Sequence, residues 1–282
     1  MPATVTGRLH NRTRRSRSIP LSLLRRGRVL DLPLYGLLRL SDLAREGLDR
    51  SGSYRFADHI YRSEPSGRFV IGRWIDALLL SLPATRSFRF RYLAARDEIV
   101  TLVTDRVATS GQSSIDVLSA PCGLPRELAD AAQALRHANV RVDRVRFHGL
   151  DLDDDVLRDA IAFASDRGLA PFTAHHGDAL DRAAYPACAD LITCTGLAEF
   201  LSDADLGRLY AIFFDVLTPG GLLLTSGMQR RRFSDYLLQL AEMPAYYRTP
   251  EDLLRLAGRL PFRETTTYSD PNGIQTMLKA RK

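Results

Sequence analysis

Lysine is nearly absent from this chain: among 39 basic residues only Lys279 and Lys282 are lysine, and arginine supplies the rest. Arginine also fills ordinary helix-surface positions, so we read this as a bias of composition. Cysteine is scarce too. Cys122, Cys188 and Cys194 are odd in number and lack any CxxC or Cys/His ligand spacing. That argues against a disulfide framework and a structural zinc, and it points to a reducing compartment and a cytoplasmic location. No apolar run reaches the ~18 residues needed to span a bilayer. The longest, around Trp74–Leu82 and Ile212–Leu224, are broken by Asp76, Asp215, Pro219 and a glycine pair. Acidic residues are missing from the start of the chain, where eight arginines fall between Arg8 and Arg28 and the first acid is Asp31. The net charge is +6, yet without that stretch the body is close to neutral. The basicity belongs to a tail, which argues against a nucleic-acid-binding face on the body.

What is present is ordinary globular material: 282 residues, 45% apolar and 26% charged, enough for one large domain or one domain with an appendage. Residues 1–30 read as a flexible basic arm. A transit peptide is the other reading of an Arg- and Ser-rich, acid-free start, whereas Arg25, Arg26 and Arg28 interrupt any secretory apolar core. Residues 31–110 read as a helical cap. An apolar stripe runs from Leu34 to Leu48, a second helix is expected over Phe69–Leu82 and a third over Phe88–Val103, with Asp58–Arg68 as a connection. After the polar linker Thr109–Ser114 the pattern changes. Strands are expected at Ile115–Ala120, Arg144–Leu150, Phe172–His176, Asp190–Thr195 and Gly221–Ser226. Helices Leu124–His137, Asp154–Arg167 and Asp203–Leu217 lie between them. Such alternation predicts an α/β fold, a Rossmann-like doubly wound, mostly parallel sheet over residues 111–282. Phe262–Tyr268 and Gly273–Ala280, joined by the turn Ser269-Asp270-Pro271-Asn272, close it with a C-terminal antiparallel hairpin.

Ligands of such sheets bind beyond the carboxyl ends of the strands. The first strand runs into Ser119-Ala120-Pro121-Cys122-Gly123, followed by Pro125 at a helix start and by Arg126. The second ends at Asp151-Leu152. An acid there can accept hydrogen bonds from a ribose diol, while Asp153, Asp154 or Asp155 caps the next helix. The third ends at Gly177-Asp178-Ala179, a polar tip for an adenine amino group or an Asx-turn. The fourth ends at Thr195-Gly196, with Glu199 close behind. His175 and His176 point to opposite sides of their strand and do not share a metal, so no metal is expected. Each of them, like His148, is read as a packed or exposed histidine. Tyr246 and Tyr247 are read as packing residues, and Cys122 and Cys194 as small buried apolar groups.

Taken in order, these tips resemble the class I S-adenosylmethionine-dependent methyltransferases. The matching segments are Val117–Gly123, Gly149-Leu150-Asp151, Gly177-Asp178-Ala179, Ala189–Ile192 and the turn Leu217–Gly221. Within that superfamily, Asp270-Pro271-Asn272-Gly273-Ile274 and Tyr247-Arg248-Thr249 are similar to a group of methyltransferases sometimes fused to an α/β-hydrolase, which suggests a possible hydrolase partner. The resemblance implies S-adenosyl-L-methionine as cofactor, held by Ser119, Ala120, Pro121, Cys122, Gly123, Arg126, Asp151, Leu152, Asp178, Ala179, Thr195 and Gly196. It implies methyl transfer to a small-molecule or lipid-like acceptor, with Glu199 as the candidate base. Arg230-Arg231-Arg232 would attract an anionic substrate. The sequence also departs from the pattern: the first-strand acid is replaced by Ser119, and two of the usual glycines by Pro121 and Pro125. Two alternatives therefore stand beside the enzyme: a non-catalytic protein that keeps the fold, and an RNA methyltransferase using the basic arm.

Overall fold

The computed structural model describes residues 19–50, 53–109, 114–169, 171–230 and 245–282. Phe90–Gln229 with Tyr246–Lys282 make one compact unit, and the residues through Arg89 belong to another.

The leading unit is helical: α1 (Ile19–Arg25), α2 (Asp31–Leu38), α3 (Asp42–Asp49), α4 (Tyr54–Arg62) and α5 (Phe69–Ser81), followed by the long α6 (Pro83–Thr109). The basic arm expected through residue 30 is shorter than its composition suggests. Ile19 and Leu23 are buried with Leu38 and Leu48, so α1 packs as a helix. The Leu34–Leu48 stripe is two helices, because Ser41 takes up extended backbone and its hydroxyl accepts from the Ala44 N–H to start α3. The connection expected at Asp58–Arg68 holds most of α4 instead. Ser53 caps that helix through the Phe56 N–H, Ile60 is its one buried residue, and the chain leaves at Ser63 in the left-handed region. One buried residue per nine gives almost no periodic signal to read.

The second unit is built on seven strands: β1 (Ile115–Ser119), β2 (Val145–Asp151), β3 (Phe172–His176), β4 (Ala189–Cys194), β5 (Leu217–Met228), β6 (Glu264–Ser269) and β7 (Gln275–Arg281). Their order is β3-β2-β1-β4-β5-β7-β6. The first five are parallel, and β7 runs antiparallel to both β5 and β6. The expected fold class is therefore the observed one, with the last strand inserted between β5 and β6. Helices α7 (Arg126–His137), α8 (Asp154–Asp166), α9 (Asp203–Val216) and α10 (Pro250–Ala257) cover the sheet.

Two cores follow from the period of two along each strand. Val117, Leu191 and Leu222 pack with Ile99 of α6 and Leu128 and Leu135 of α7. Their neighbours Leu118, Ile192 and Leu223 point the other way, onto Leu209 and Phe213 of α9 and Leu253 of α10. Each fully buried Leu or Ile contributes roughly 1.5–3 kcal/mol relative to exposure. The central strands are therefore the most strongly held part of the molecule, and their carboxyl ends are a fixed platform. Among the described residues no helix is long and apolar enough to cross a membrane.

Candidate active site

The strand order reverses direction between β1 and β4, the position where open sheets of this kind bind ligands. The β1 tip turns through Ala120, Pro121, Cys122 and Gly123. Backbone bonds from the Ala120 N–H to Thr193 O (2.9 Å) and from the Cys122 N–H to Leu150 O (2.8 Å) tie it to β4 and β2. Gly123 has φ +48°, a conformation a side chain would resist. Pro125 stands one position before α7 rather than inside it, as the residue whose carbonyl accepts the Ala129 N–H.

Asp151 closes β2 and is buried. Its carboxylate accepts the Gly123 N–H on one oxygen and the Asp153 N–H on the other, both at 3.2 Å. Burial raises its pKa above the ordinary carboxylate value, and these backbone donors oppose the rise. Asp153 is the cap of α8, accepting from the Asp155 N–H at 2.9 Å. The β1 loop and the β2 acid, adjacent candidates in the sequence, are thus one hydrogen-bonded unit. Leu152 follows Asp151, and its carbonyl accepts from His176 Nε2 at 3.0 Å.

The remaining candidates divide. Beyond β3, Asp178 forms the Asx-turn, accepting the Leu180 N–H at 2.9 Å, and Ala179 O accepts from the Tyr185 hydroxyl at 2.7 Å. Arg126, expected to meet a carboxylate, is buried, and its guanidinium lies 5.0 Å over the Phe163 ring of α8. His148 and His175 face each other at 3.1 Å, and His148 also meets Asp116 at 2.9 Å. His176 points elsewhere, and no cluster fit for a metal occurs among the described residues. Arg231 and Arg232 lie outside the described residues.

Beyond β4 the chain turns at Thr195 and Gly196, whose N–H donates to Ser226 Oγ of β5 at 3.2 Å. Gly196 has φ +92°, and a Cβ there would come within 2.7 Å of Arg91 Nη2. Glu199, on the single 3₁₀ turn that follows, is buried. Its Oε1 accepts from Arg91 Nη1 at 3.1 Å and from Gln275 Nε2 at 3.4 Å. Glu199 Oε2 and Gln275 Oε1 are also buried and have no hydrogen-bond partner.

Four residues at these strand ends escaped the sequence reading. Glu127, on the first turn of α7, is buried and reaches back to the β1 tip, where the Ser119 hydroxyl donates to it at 2.6 Å. A carboxylate therefore does sit where Ser119 removed one, supplied by the helix. Burial raises its pKa, with the Ser119 bond acting the other way. In sequence Glu127 is only an acid favoured by a helix dipole. Arg91 is one arginine among many, and Ser226 is one residue of an apolar strand. Gln275 had a signal: Asp270, the acid of the Asp-x-x-Gly-Ile pattern, accepts the Ile274 and Gln275 N–H groups at 2.7 Å each and so fixes Gln275 at the start of β7.

The residues present fit the cofactor that the resemblance implies. A glycine turn without a side chain adjoins a buried acid with acceptor capacity left over. A second buried carboxylate, which accepts from the neutral Ser119 hydroxyl, suits a cationic group.

Comparison with known proteins gives the same direction. No curated protein matches the chain. A protein of Bordetella parapertussis, described as a possible exported protein, superposes with a TM-score of 0.74 at 22% identity, over 94% of this chain and 97% of its own. Magnesium protoporphyrin IX methyltransferase (ChlM) of Synechocystis PCC 6803, with bound SAH, superposes at 0.55 and 13% identity over 88% of this chain and 99% of its own. The S-adenosylmethionine-dependent methyltransferase SibL in its apo form gives 0.54 and 14%, over 94% and 77%. At these identities the likeness is one of fold. The model of a family described as "Putative methyltransferase" matches residues 39–231, which is more than half of the sequence, and the chain belongs to that methyltransferase family.

Proposed function

We propose that this methyltransferase, S-adenosylmethionine-dependent like solved neighbours of its fold, transfers the methyl group to a small-molecule or lipid-like acceptor. The acceptor would present a hydroxyl or amine to Glu199 and Gln275. The observation that carries this reading is the pair of buried acceptor atoms, Glu199 Oε2 and Gln275 Oε1, left without donors beyond the carboxyl end of β4 and at the start of β7. A buried acceptor without a donor costs roughly 1–3 kcal/mol, a cost that a bound donor group would relieve.

The cofactor, when bound, supplies a methyl group made electrophilic by a sulfonium. The chain's own residues have the remaining tasks. Asp151 accepts from the ribose hydroxyls with the lone pairs its two backbone donors leave free. Glu127 and Ser119 meet the methionine ammonium. Thr195 and Gly196 line the passage from β4, where Gly196 leaves room for Arg91. Arg91 fixes one oxygen of Glu199 and directs the other to the acceptor, from which Glu199 Oε2 takes a proton as the new bond to carbon forms.

The test separates the two halves of the reading. Calorimetry with S-adenosylhomocysteine (SAH) should show binding to the parent protein and, with unchanged affinity, to Glu199→Gln. Transfer of labelled methyl groups to a panel of alcohols, phenols, amines and fatty acids should fall about a hundredfold or more in that variant. Absence of binding to folded parent protein overturns the cofactor reading. Equal transfer by parent and variant overturns the role of Glu199.

A further inference from the structure

Helix α5 is amphipathic in the wrong sense for a helix facing water. Its inward line is Gly72, Asp76 and Leu80, all buried, and its centre is a carboxylate with no exposure. Asp76 accepts from the Ser41 hydroxyl at 2.6 Å, the Leu43 N–H at 2.9 Å and the Ser66 N–H at 3.1 Å, and it meets His59 Nε2 at 2.7 Å. Gly72 sits so close to the chain before α3 that a Cβ would come within 2.3 Å of Leu40 O. These contacts fix which side of α5 faces its unit. The outward line, two residues away and so about 200° round the helix, is Val70, Trp74 and Leu78, with exposures of 69%, 74% and 63%. Phe69 and Ile71 flank it and are exposed as well.

This is no isolated surface leucine. Of the fourteen large apolar side chains exposed among the described residues, eleven lie between Leu21 and Leu78 and three in the rest of the chain. Scattered exposed apolar groups need no explanation, but a concentration on one unit marks an interaction surface. The exposed charge on the helix itself has one sign, and the exposed Glu64 before it is paired with Arg62. On α5 the only acid is the buried Asp76, while Arg73 is exposed and stands beside Trp74. The same unit carries the exposed Arg25 and Arg26 of the acid-free, arginine-rich start of the chain.

We infer that the outer face of α5 docks on an anionic lipid surface, with Trp74 and its apolar neighbours entering the headgroup boundary and the arginines meeting lipid phosphates. Exposed Val, Trp and Leu along one line, flanked by Phe and bordered by arginine, with no exposed acid on the helix, is the pattern of a helix lying in the plane of a membrane interface. A folded partner protein would equally cover apolar area, but it would not require that every exposed charge on the helix be cationic. The inference is independent of the chemistry proposed for the sheet edge.

Trp74 is the only tryptophan of the chain, so it reports directly. The full chain is mixed with vesicles of phosphatidylcholine containing 30% phosphatidylglycerol, and with vesicles of phosphatidylcholine alone. Sedimentation with the anionic vesicles is expected, together with a blue shift of Trp74 emission and its quenching by brominated acyl chains. Binding should weaken with added salt. Val70→Glu, at an exposed position where folding is undisturbed, should reduce partition about tenfold or more. Arg73→Ala should reduce it about fivefold. Equal binding to both vesicle types overturns the inference, as does binding to neither. A blue shift that grows with protein concentration in the absence of lipid also overturns it, because a second copy then covers the face.

Discussion

The two halves of the sheet's carboxyl edge are built differently. On the β1–β2 side the acids are satisfied from within the protein: Asp151 has a backbone N–H on each oxygen, and Glu127 has the Ser119 hydroxyl. On the β4–β7 side Arg91, Glu199 and Gln275 form a buried network that uses one carboxylate oxygen twice and leaves two acceptor atoms with nothing. The first half has its acids held in place before any ligand arrives, with lone pairs to spare, and suits one constant ligand. The second lacks donors, and a substrate that brings them completes it. This contrast is the electrostatic basis for the proposed cofactor side and acceptor side.

The severest way to break the second half is Arg91→Leu. It removes the cation that, among the described residues, is bonded to buried Glu199, and it leaves that charge without compensation. The expected loss is about 3–5 kcal/mol of stability, measured by urea unfolding. The double variant Arg91→Leu with Glu199→Leu should recover most of it, since neither charge is then buried. A loss under about 1 kcal/mol for the single variant would mean that Glu199 is compensated elsewhere, and the contrast between the halves would fail.

The first half is sharpened by Asp151→Ala. Hydrogen bonds to a charged acceptor are worth roughly 1.5–3 kcal/mol, so affinity for SAH should fall about tenfold to a hundredfold by calorimetry. Asn is no mild substitute at this position. Its oxygen keeps one backbone donor, but its NH₂ faces the other, Gly123 N–H or Asp153 N–H, and the β1 loop must move. Unchanged affinity in folded Asp151→Ala would remove the ribose assignment.

The difference between the halves also explains what was legible in the sequence. The strands of the second unit and its helices α7, α8 and α9 were readable to within a few residues, because buried parallel strands are short apolar runs and α8 and α9 start at Asp and Ser caps, whereas α10 was not read. Asp151 was readable because it directly follows such a run. Glu127 was not: its role depends on a side chain turning back eight residues to Ser119, and spacing alone does not report direction. Arg91 and Glu199 meet across 108 positions, a contact that no local pattern encodes. Arg126 illustrates the same limit of local pattern. Its position beside the loop suggested a ligand contact, but a ring on the neighbouring helix, Phe163, lies under its guanidinium. In the leading unit, α4 was missed and the basic arm overextended, because short helices with one or two buried residues carry little periodicity.

A smaller effect tests whether Glu127 is kept for a ligand and not for the fold. Burial raises its pKa above the ordinary glutamate value of about 4.5, so the folded state holds its proton to higher pH than the unfolded chain does. Its contribution to stability therefore declines as pH rises from about 4.5 through the raised folded value, and the penalty is complete above it. Glu127→Gln keeps an acceptor for the Ser119 hydroxyl and never ionises. Its melting temperature should match the parent near pH 4 and exceed it at pH 7 and above. A bound ammonium favours the ionised carboxylate, so parent affinity for SAH should rise with pH across the same window. The Gln variant should bind about fivefold to tenfold more weakly at neutral pH, with a flat profile. Parallel profiles for the two proteins would show that Glu127 does not meet the cofactor.

The smallest expected effect is the control on the whole scheme. Asp153 lies two residues beyond Asp151 and gives Asp151 Oδ1 its backbone N–H, which any side chain at 153 retains. Its own carboxylate accepts the Asp155 N–H as the cap of α8 and points along that helix. Asp153→Ala should therefore cost about 0.5–2 kcal/mol of stability through the lost cap. Affinity for SAH, corrected for the folded fraction, should be unchanged. Both quantities come from one preparation, by thermal unfolding and calorimetry at the same temperature, because an unfolded fraction would otherwise pass for weak binding. If affinity falls as far as in Asp151→Ala, the cofactor side responds to any disturbance of the β2–α8 turn. In that case the assignment of the ribose to one carboxylate is lost, and with it the sharpest line between the two halves of the edge.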